Sequence, residues 1–246
     1  MFPIVRYASP NFDERDPEVV RQYAVIHYTG MPTGLAAIER LCDPVAKVSA
    51  HYVIEEDGRI FRLVEESKRA WHAGQSFWRG LRDINSASIG IELVNPGHHN
   101  GYRPFPEAQL AALKTVLADM ANRQMLSPLH GLLAHSDVAP LRKEDPGELF
   151  PWQALAQGGF GLWPEPRSED YGPAEDREVQ DLLRAIGYDC PETGAYDRPT
   201  RAALLAFQRR YEPNNLTGTP ERETVARMRA LLRLTASIPA TSRPSV

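Results

Sequence analysis

The chain has 246 residues, long for one small domain and comfortable for two, and its 42% hydrophobic and 24% charged residues are the balance of an ordinary water-soluble protein. Its net charge of -4 gives no basic footprint, which excludes nucleic acid as an expected partner. No apolar window reaches the roughly 18 residues that a membrane span needs, so no transmembrane segment is expected.

The opening stretch MFPIVRYASPNFDERD has no charged region leading into an apolar core, so it does not read as a signal peptide. The expected compartment is therefore the cytoplasm, with the periplasm or cell envelope as the alternative if a leader has been removed. Residues 23–27 read as a short buried strand that ends on His27. Residues 32–41 have helical spacing with Pro32 in the first turn. Strands at 51–54 and 59–64 flank Asp57-Gly58, a hairpin signal. Residues 88–94 alternate, with Ile89, Ile91 and Leu93 on one face and Gly90, Glu92 and Val94 on the other. A helix follows at 107–120, its stripe formed by Leu110, Leu113, Leu117 and Met120, and a strand at 129–134 delivers His135. Strands interleaved with helices predict an α/β domain over residues 1–163, with a mixed central sheet flanked by helices.

A linker rich in Gly, Pro and polar residues covers 164–172. Residues 173–234 read as a small bundle of three helices. Val179, Leu182, Leu183 and Ile186 form the first stripe, which Gly187 stops. Asp197-Arg198-Pro199 opens the second, with Thr200, Ala203, Leu204 and Phe207, and residues 224–232 make the third. The tail from Thr235 is expected to be disordered. Cys42 and Cys190 fall in different regions and are expected to remain unbridged.

The chemistry concentrates in His135-Ser136-Asp137-Val138-Ala139-Pro140-Leu141-Arg142-Lys143-Glu144-Asp145-Pro146-Gly147, where two prolines oppose a continuous helix. A catalytic zinc site takes three protein ligands and leaves a position for water. His27 and His135 each end a predicted strand, and neighbouring strands would bring both imidazoles to one rim. The third ligand is open between Asp137 and Asp145. Asp145 is favoured, because Asp137 is better placed to accept a bond from a nearby backbone or from a ligand imidazole. Glu92 is a carboxylate inside an apolar strand, costly unless it faces a polar cleft. Facing a water at the metal, it can act as general base and then general acid. Lys143 could reach a developing oxyanion. Trp71 and His72 are candidates for a cleft wall, where an indole offers a platform to a sugar ring. His51, His98, His99 and His130 are not assigned to the metal; His51 and His130 read as strand residues and the other two as a surface loop.

With these residues in place, the chain resembles the type 2 N-acetylmuramoyl-L-alanine amidases, the AmpD/AmiD-like zinc enzymes. The matching segments, in family order, are Val25-Ile26-His27-Tyr28-Thr29, Ser49-Ala50-His51-Tyr52-Val53-Ile54, Ala70-Trp71-His72-Ala73-Gly74, Ser88-Ile89-Gly90-Ile91-Glu92 and the loop from His135 to Gly147. The resemblance implies one zinc held by His27, His135 and Asp145, Glu92 as general acid and base, and Lys143 as electrophilic helper. It also implies a groove lined by Tyr28, Trp71, His72 and Asn85, and hydrolysis of the amide between N-acetylmuramic acid and L-alanine. The implied partners are muropeptides or peptidoglycan, in wall turnover and recycling. Asn85-Ser86-Ala87-Ser88 departs from the family's usual Asn-Asp-Thr-Ser, and a long insertion that some relatives carry after residue 54 is missing, which implies a more open groove. Residues 173–234 are similar to a peptidoglycan-binding three-helix module, which would either bind glycan or buttress the catalytic domain.

Two rivals remain at this point: a non-catalytic peptidoglycan recognition protein on the same fold, and a zinc peptidase cutting within the stem peptide. A complete ligand set together with Glu92 argues for an enzyme. Product mass would separate the amidase from the peptidase.

Overall fold

The computed structural model describes residues 3–238. The elements run β1 (Ile4–Arg6), β2 (Phe12–Glu14), β3 (Tyr23–Tyr28), α1 (Gly34–Cys42), β4 (Tyr52–Ile54), β5 (Ile60–Arg62), β6 (Lys68–Ala70), α2 (Ile84–Ala87), β7 (Ser88–Leu93) and α3 (Glu107–Asn122). They continue with β8 (Leu132–Ala134), α4 (His135–Val138), α5 (Trp152–Gln157), α6 (Asp176–Ile186), α7 (Arg198–Tyr211) and α8 (Arg222–Ser237). Six strands form one sheet in the order β1-β5-β4-β7-β3-β8, and β2 pairs with β6 in a separate ribbon. The adjacent strands β4, β7, β3 and β8 are parallel, while β5 runs against β4, so the sheet is mixed as expected.

The sheet's two faces follow from the alternation of its strands. Ala24 and Ile26 of β3 share a cluster with Ile89, Ile91 and Leu93 of β7 and with Leu113, Val116, Leu117 and Met120 of α3. Tyr23 and Val25 point the other way and join Trp78, Leu133 and Val138. That second cluster continues without a break into Val179, Leu183, Ala203, Leu204, Phe207 and Met228 of α6, α7 and α8. The C-terminal bundle therefore shares its core with the sheet domain.

Several local expectations are corrected. Pro32 stands outside α1: Thr33 is the N-cap, and its hydroxyl accepts from the Ala36 amide at 3.2 Å, so the capping side chain rather than the proline sets the start. The strand expected at 129–134 begins only at Leu132. Pro128 cannot donate to a ladder, and His130 lies in the turn before the strand. His51 directly precedes β4, although its amide still pairs with Gly90 O at 3.0 Å. The linker contains a 3-10 turn, Ser168–Asp170, held to α8 by the Arg233–Asp170 ion pair at 2.6 Å. Helix α8 runs through Ser237, so no irregular tail starts at Thr235; residues 239–246 of that expected tail lie outside the described residues. Cys42 and Cys190 are both free thiols.

Candidate active site

Strand register builds the site. His27 of β3 lies opposite Glu92 of β7, and on the other side Ile26 lies opposite Ala134, the last residue of β8. His135 follows directly. Glu92, His27 and His135 thus sit side by side at the C-terminal rim of three adjacent parallel strands, where open α/β sheets place their ligands. The chain then turns through α4 and returns, with Ser136 N donating to Asp145 O at 3.0 Å.

Three acceptor atoms converge there. His27 Nδ1 is 2.9 Å from His135 Nδ1 and 3.1 Å from Asp145 Oδ2, and His135 Nδ1 is 3.0 Å from the same oxygen. The outer nitrogens define the tautomers. His135 Nε2–H donates to Ala73 O at 3.2 Å, and His27 Nε2–H donates to His72 Nδ1 at 3.2 Å. His72 Nε2–H in turn faces Ser88 Oγ at 3.4 Å, whose hydroxyl donates to Ile84 O at 2.5 Å. Both Nδ1 atoms are therefore left with lone pairs aimed at each other and at a carboxylate. Such an arrangement calls for a cation at its centre, and a triangle with these edges accommodates an ion bound at about 2.0–2.2 Å. All three residues are buried and fit a three-ligand metal centre.

The electrostatics agree. Burial, then the charge of His135, lowers His27 to about 4, which keeps the ring neutral, the form in which an imidazole can bind a metal. Burial pushes Asp145 up, but His135 and His27 outweigh it and hold the carboxyl far below its ordinary value. Glu92 behaves oppositely: burial first, then the Asp145 charge, raises it well above the usual carboxylate range, with Lys143 opposing. Glu92 Oε2 is covered and has no hydrogen-bond partner. These groups line a cavity of about 360 Å³ together with Tyr28, Trp71, His72 and Lys143, a size suited to part of a sugar–peptide.

The sequence-predicted residues divide accordingly. His27, His135, Asp145, Glu92 and Lys143 come together. Tyr28 and Trp71 stand on the wall, Tyr28 bonded to His98 Nδ1 at 2.9 Å and the Trp71 indole donating to Asp13 at 2.7 Å. Asn85 does not line the groove. It is buried, and its Oδ1 accepts from the amides of His72 (3.1 Å) and Ala73 (2.8 Å), so it shapes the loop that carries both imidazole partners. Asp137 stays away from the three converging atoms and instead accepts from Ala134 N (2.8 Å), Tyr188 (2.9 Å) and Arg210 (2.5 Å). Sequence reasoning missed Ser88 and Gly90. A Cβ on Gly90 would come within 2.3 Å of the His72 ring, so only glycine lets the imidazole lie over β7. The signal was present: the face of β7 that carries Glu92 is otherwise made of the small residues Ser88 and Gly90.

The comparisons agree with this geometry. The family described as N-acetylmuramoyl-L-alanine amidase matches residues 16–148, and the peptidoglycan-binding domain family PG_binding_1 matches residues 173–228. N-acetylmuramoyl-L-alanine amidase AmiD of Escherichia coli (strain K12) is 37% identical over 228 residues, covering 85% of this chain and 81% of AmiD. The solved complex of AmiD from E. coli with the substrate anhydro-N-acetylmuramic acid-L-Ala-D-gamma-Glu-L-Lys superposes with a TM-score of 0.78 at 33% identity, over 91% of this chain and 98% of that one. The crystal structure of AmpDh3 from Pseudomonas aeruginosa gives a TM-score of 0.80 at 31% identity, over 88% and 93% of the two chains.

Proposed function

The chain belongs to the N-acetylmuramoyl-L-alanine amidase family, and from that premise we propose that it is a zinc hydrolase of peptidoglycan turnover and recycling. The bond cut is the amide between the lactyl group of N-acetylmuramic acid, 1,6-anhydro or not, and the L-alanine of the stem peptide. Residues 1–163 are assigned as the catalytic part and residues 173–234 as the peptidoglycan-binding-like part. The observation that carries the reading is the convergence of His27 Nδ1, His135 Nδ1 and Asp145 Oδ2 beside an unpartnered Glu92 oxygen.

In this reading His27, His135 and Asp145 hold one Zn2+, which supplies Lewis acidity and lowers the pKa of water towards about 7. Glu92 Oε2 takes the proton of the water that attacks the amide carbonyl. It returns that proton to the alanine nitrogen as the C–N bond breaks, so one carboxyl serves as base and then acid. Its high proton affinity in a buried site suits the second step. Lys143 faces the carbonyl oxygen as negative charge develops there. His72 and Ala73 O fix the rotation and tautomer of the two ligand imidazoles. Tyr28 and Trp71 bound the substrate groove. No covalent enzyme intermediate is needed.

The test joins metal analysis to product mass. We expect one zinc per chain and release of a free peptide beginning at L-alanine from a defined muramoyl-tripeptide, with and without the anhydro ring. Cleavage within the stem peptide would overturn the assignment of the bond, and a zinc-loaded protein that cuts neither substrate would overturn the enzyme reading.

A further inference from the structure

We propose that a basic groove leading from the reaction centre onto the C-terminal bundle binds the free carboxylates of the stem peptide, so that helix α7 completes the substrate site. The inference rests on the amidase reading above and extends it to the recognition of the peptide.

The groove is a cavity of about 390 Å³ that shares His99, Arg142, Lys143 and Glu144 with the cavity at the metal ligands. Its far wall is one face of α7. Arg198, Arg201, Ala202, Leu205 and Arg209 recur at helical spacing, so cations stand at both ends of a short apolar strip. From Arg198 to Arg209 the strip rises about 16 Å, the length of about five extended peptide residues. Pro140 and Leu141 face it from the other side.

Charge singles the groove out. Five cationic side chains line it against one carboxylate, on a chain whose net charge is -4. That carboxylate, Glu144, is engaged by Arg209 at 3.5 Å and His98 at 3.4 Å. Among the described residues Lys143, Arg198 and Arg201 enter no ion pair, although Arg184 and Arg229 of the same bundle each pair with a carboxylate at 2.6 Å. Arg142 is anchored to the carbonyls of Ala73 and Gln75, which fixes its guanidinium at the junction with the reaction centre. The first turn of α7 is held by the Asp197 cap on Thr200 N at 2.9 Å and by Pro199 near its start. Arginines on a preorganised turn are suited to gripping carboxylates in pairs. A short peptide with several free carboxylates, leading away from the scissile amide, has the charge and length that this groove lacks.

The experiment uses the full chain and two substrates. One is a muramoyl-tripeptide with its downstream carboxylates free; the other is muramoyl-L-alanine amide, which has none. The wild type is expected to prefer the acidic substrate in kcat/KM. R198E/R201E should reduce that preference about tenfold or more, chiefly through KM, and R198A/R201A should reduce it less. A salt series on the wild type needs no substitution, since the preference should fall as screening rises. A preference unchanged in the folded variants, or flat with salt in the wild type, overturns the groove while leaving the amidase standing. A wild type that cleaves neither substrate brings down the amidase reading and the groove with it.

Discussion

Asp145 and Asp137 lie eight positions apart, both at least nine-tenths buried, yet they stand in opposite kinds of polar cluster. Around Asp137 both carboxylate oxygens are taken, and what is left over is a single donor, the Arg210 Nε–H. The carboxylate receives Ala134 N, the Tyr188 hydroxyl and the Arg210 guanidinium, and Arg210 also donates to Leu132 O at 2.9 Å and lies 4.2 Å over the Trp152 ring. Positive and negative charge balance, and the cluster ties the C-terminal bundle to the strand that delivers His135. Around Asp145 the bonding does not close. Two imidazole lone pairs and a carboxylate oxygen face one another, and a second carboxylate oxygen, on Glu92, has no partner. Buried polar groups normally find partners, and where several acceptors face one another with no donor between them, the cluster is suited to a cation from outside the chain. Burial alone does not separate a structural ion pair from an active site; the remaining valences do.

The largest expected effect follows from removing a converging atom. His27→Ala should abolish stoichiometric zinc binding and, with it, turnover, because two ligands do not hold a catalytic zinc at neutral pH. Metal analysis after dialysis reads this directly, and a variant that keeps one zinc per chain would remove His27 from the ligand set. Glu92→Gln should instead keep the metal and lose about 10²–10⁴-fold in kcat, the usual worth of a positioned acid–base group. A variant that retained near-normal kcat would take the proton-transfer role from Glu92. The two substitutions on neighbouring strands thus separate holding the metal from using it.

The complementary break lies in the closed cluster. Asp137→Ala leaves the Arg210 charge buried without its partner, which typically costs about 3–5 kcal/mol. For a chain of this size that lowers the melting temperature by roughly 6–20 °C, read by thermal unfolding, while zinc content at low temperature stays whole. D137A/R210M, which removes both charges, should recover part of the loss. An unchanged melting temperature for the single variant would show that the bundle is not held through this pair.

How much of this was legible in the sequence depended on how local the cause was. His27, Glu92 and His135 could be placed because strand periodicity fixes which face a residue takes, and parallel neighbours end at one rim. The choice of Asp145 over Asp137 rested on weaker ground, and the structure shows why: Asp137 is occupied by Tyr188 and Arg210, more than fifty positions away in sequence. Asn85 was read as a groove residue, but its side chain turns inward to two amides of another loop, a contact that no periodicity encodes. His72 over Gly90 and the arginine face of α7 beside Arg142 likewise depend on distant segments meeting. The shared core of sheet and bundle was hidden for the same reason, since each stripe read on its own suits a separate small domain.

The smallest effect expected is a pH dependence, and it too distinguishes the clusters. Three buried imidazoles lie in or beside the open one. Burial, then the charge of His135, lowers His27 to about 4; burial, then Arg15, lowers His51 to about 3; and burial, then His27, holds His72 well below its ordinary value. Each stays neutral in the fold while the unfolded chain takes up a proton below about pH 6.5, so stability falls as the pH drops from 6.5 towards 4. Glu92 works the other way, because its raised value contributes stability in acid that is lost as the pH rises through that value. Glu55 and Glu212, also raised by burial, side with Glu92, whereas Asp145, Glu66 and Glu148, despite burial, are held low by their partners and side with the imidazoles. Metal-free protein should therefore melt at a lower temperature at pH 5 than at pH 7, and a melting temperature that is flat or rises towards acid would contradict the burial of neutral rings. The closed cluster contains no histidine, so Asp137→Ala should lower the whole curve without changing this slope. A slope that changed with it would mean that the two clusters, eight residues apart, respond as one.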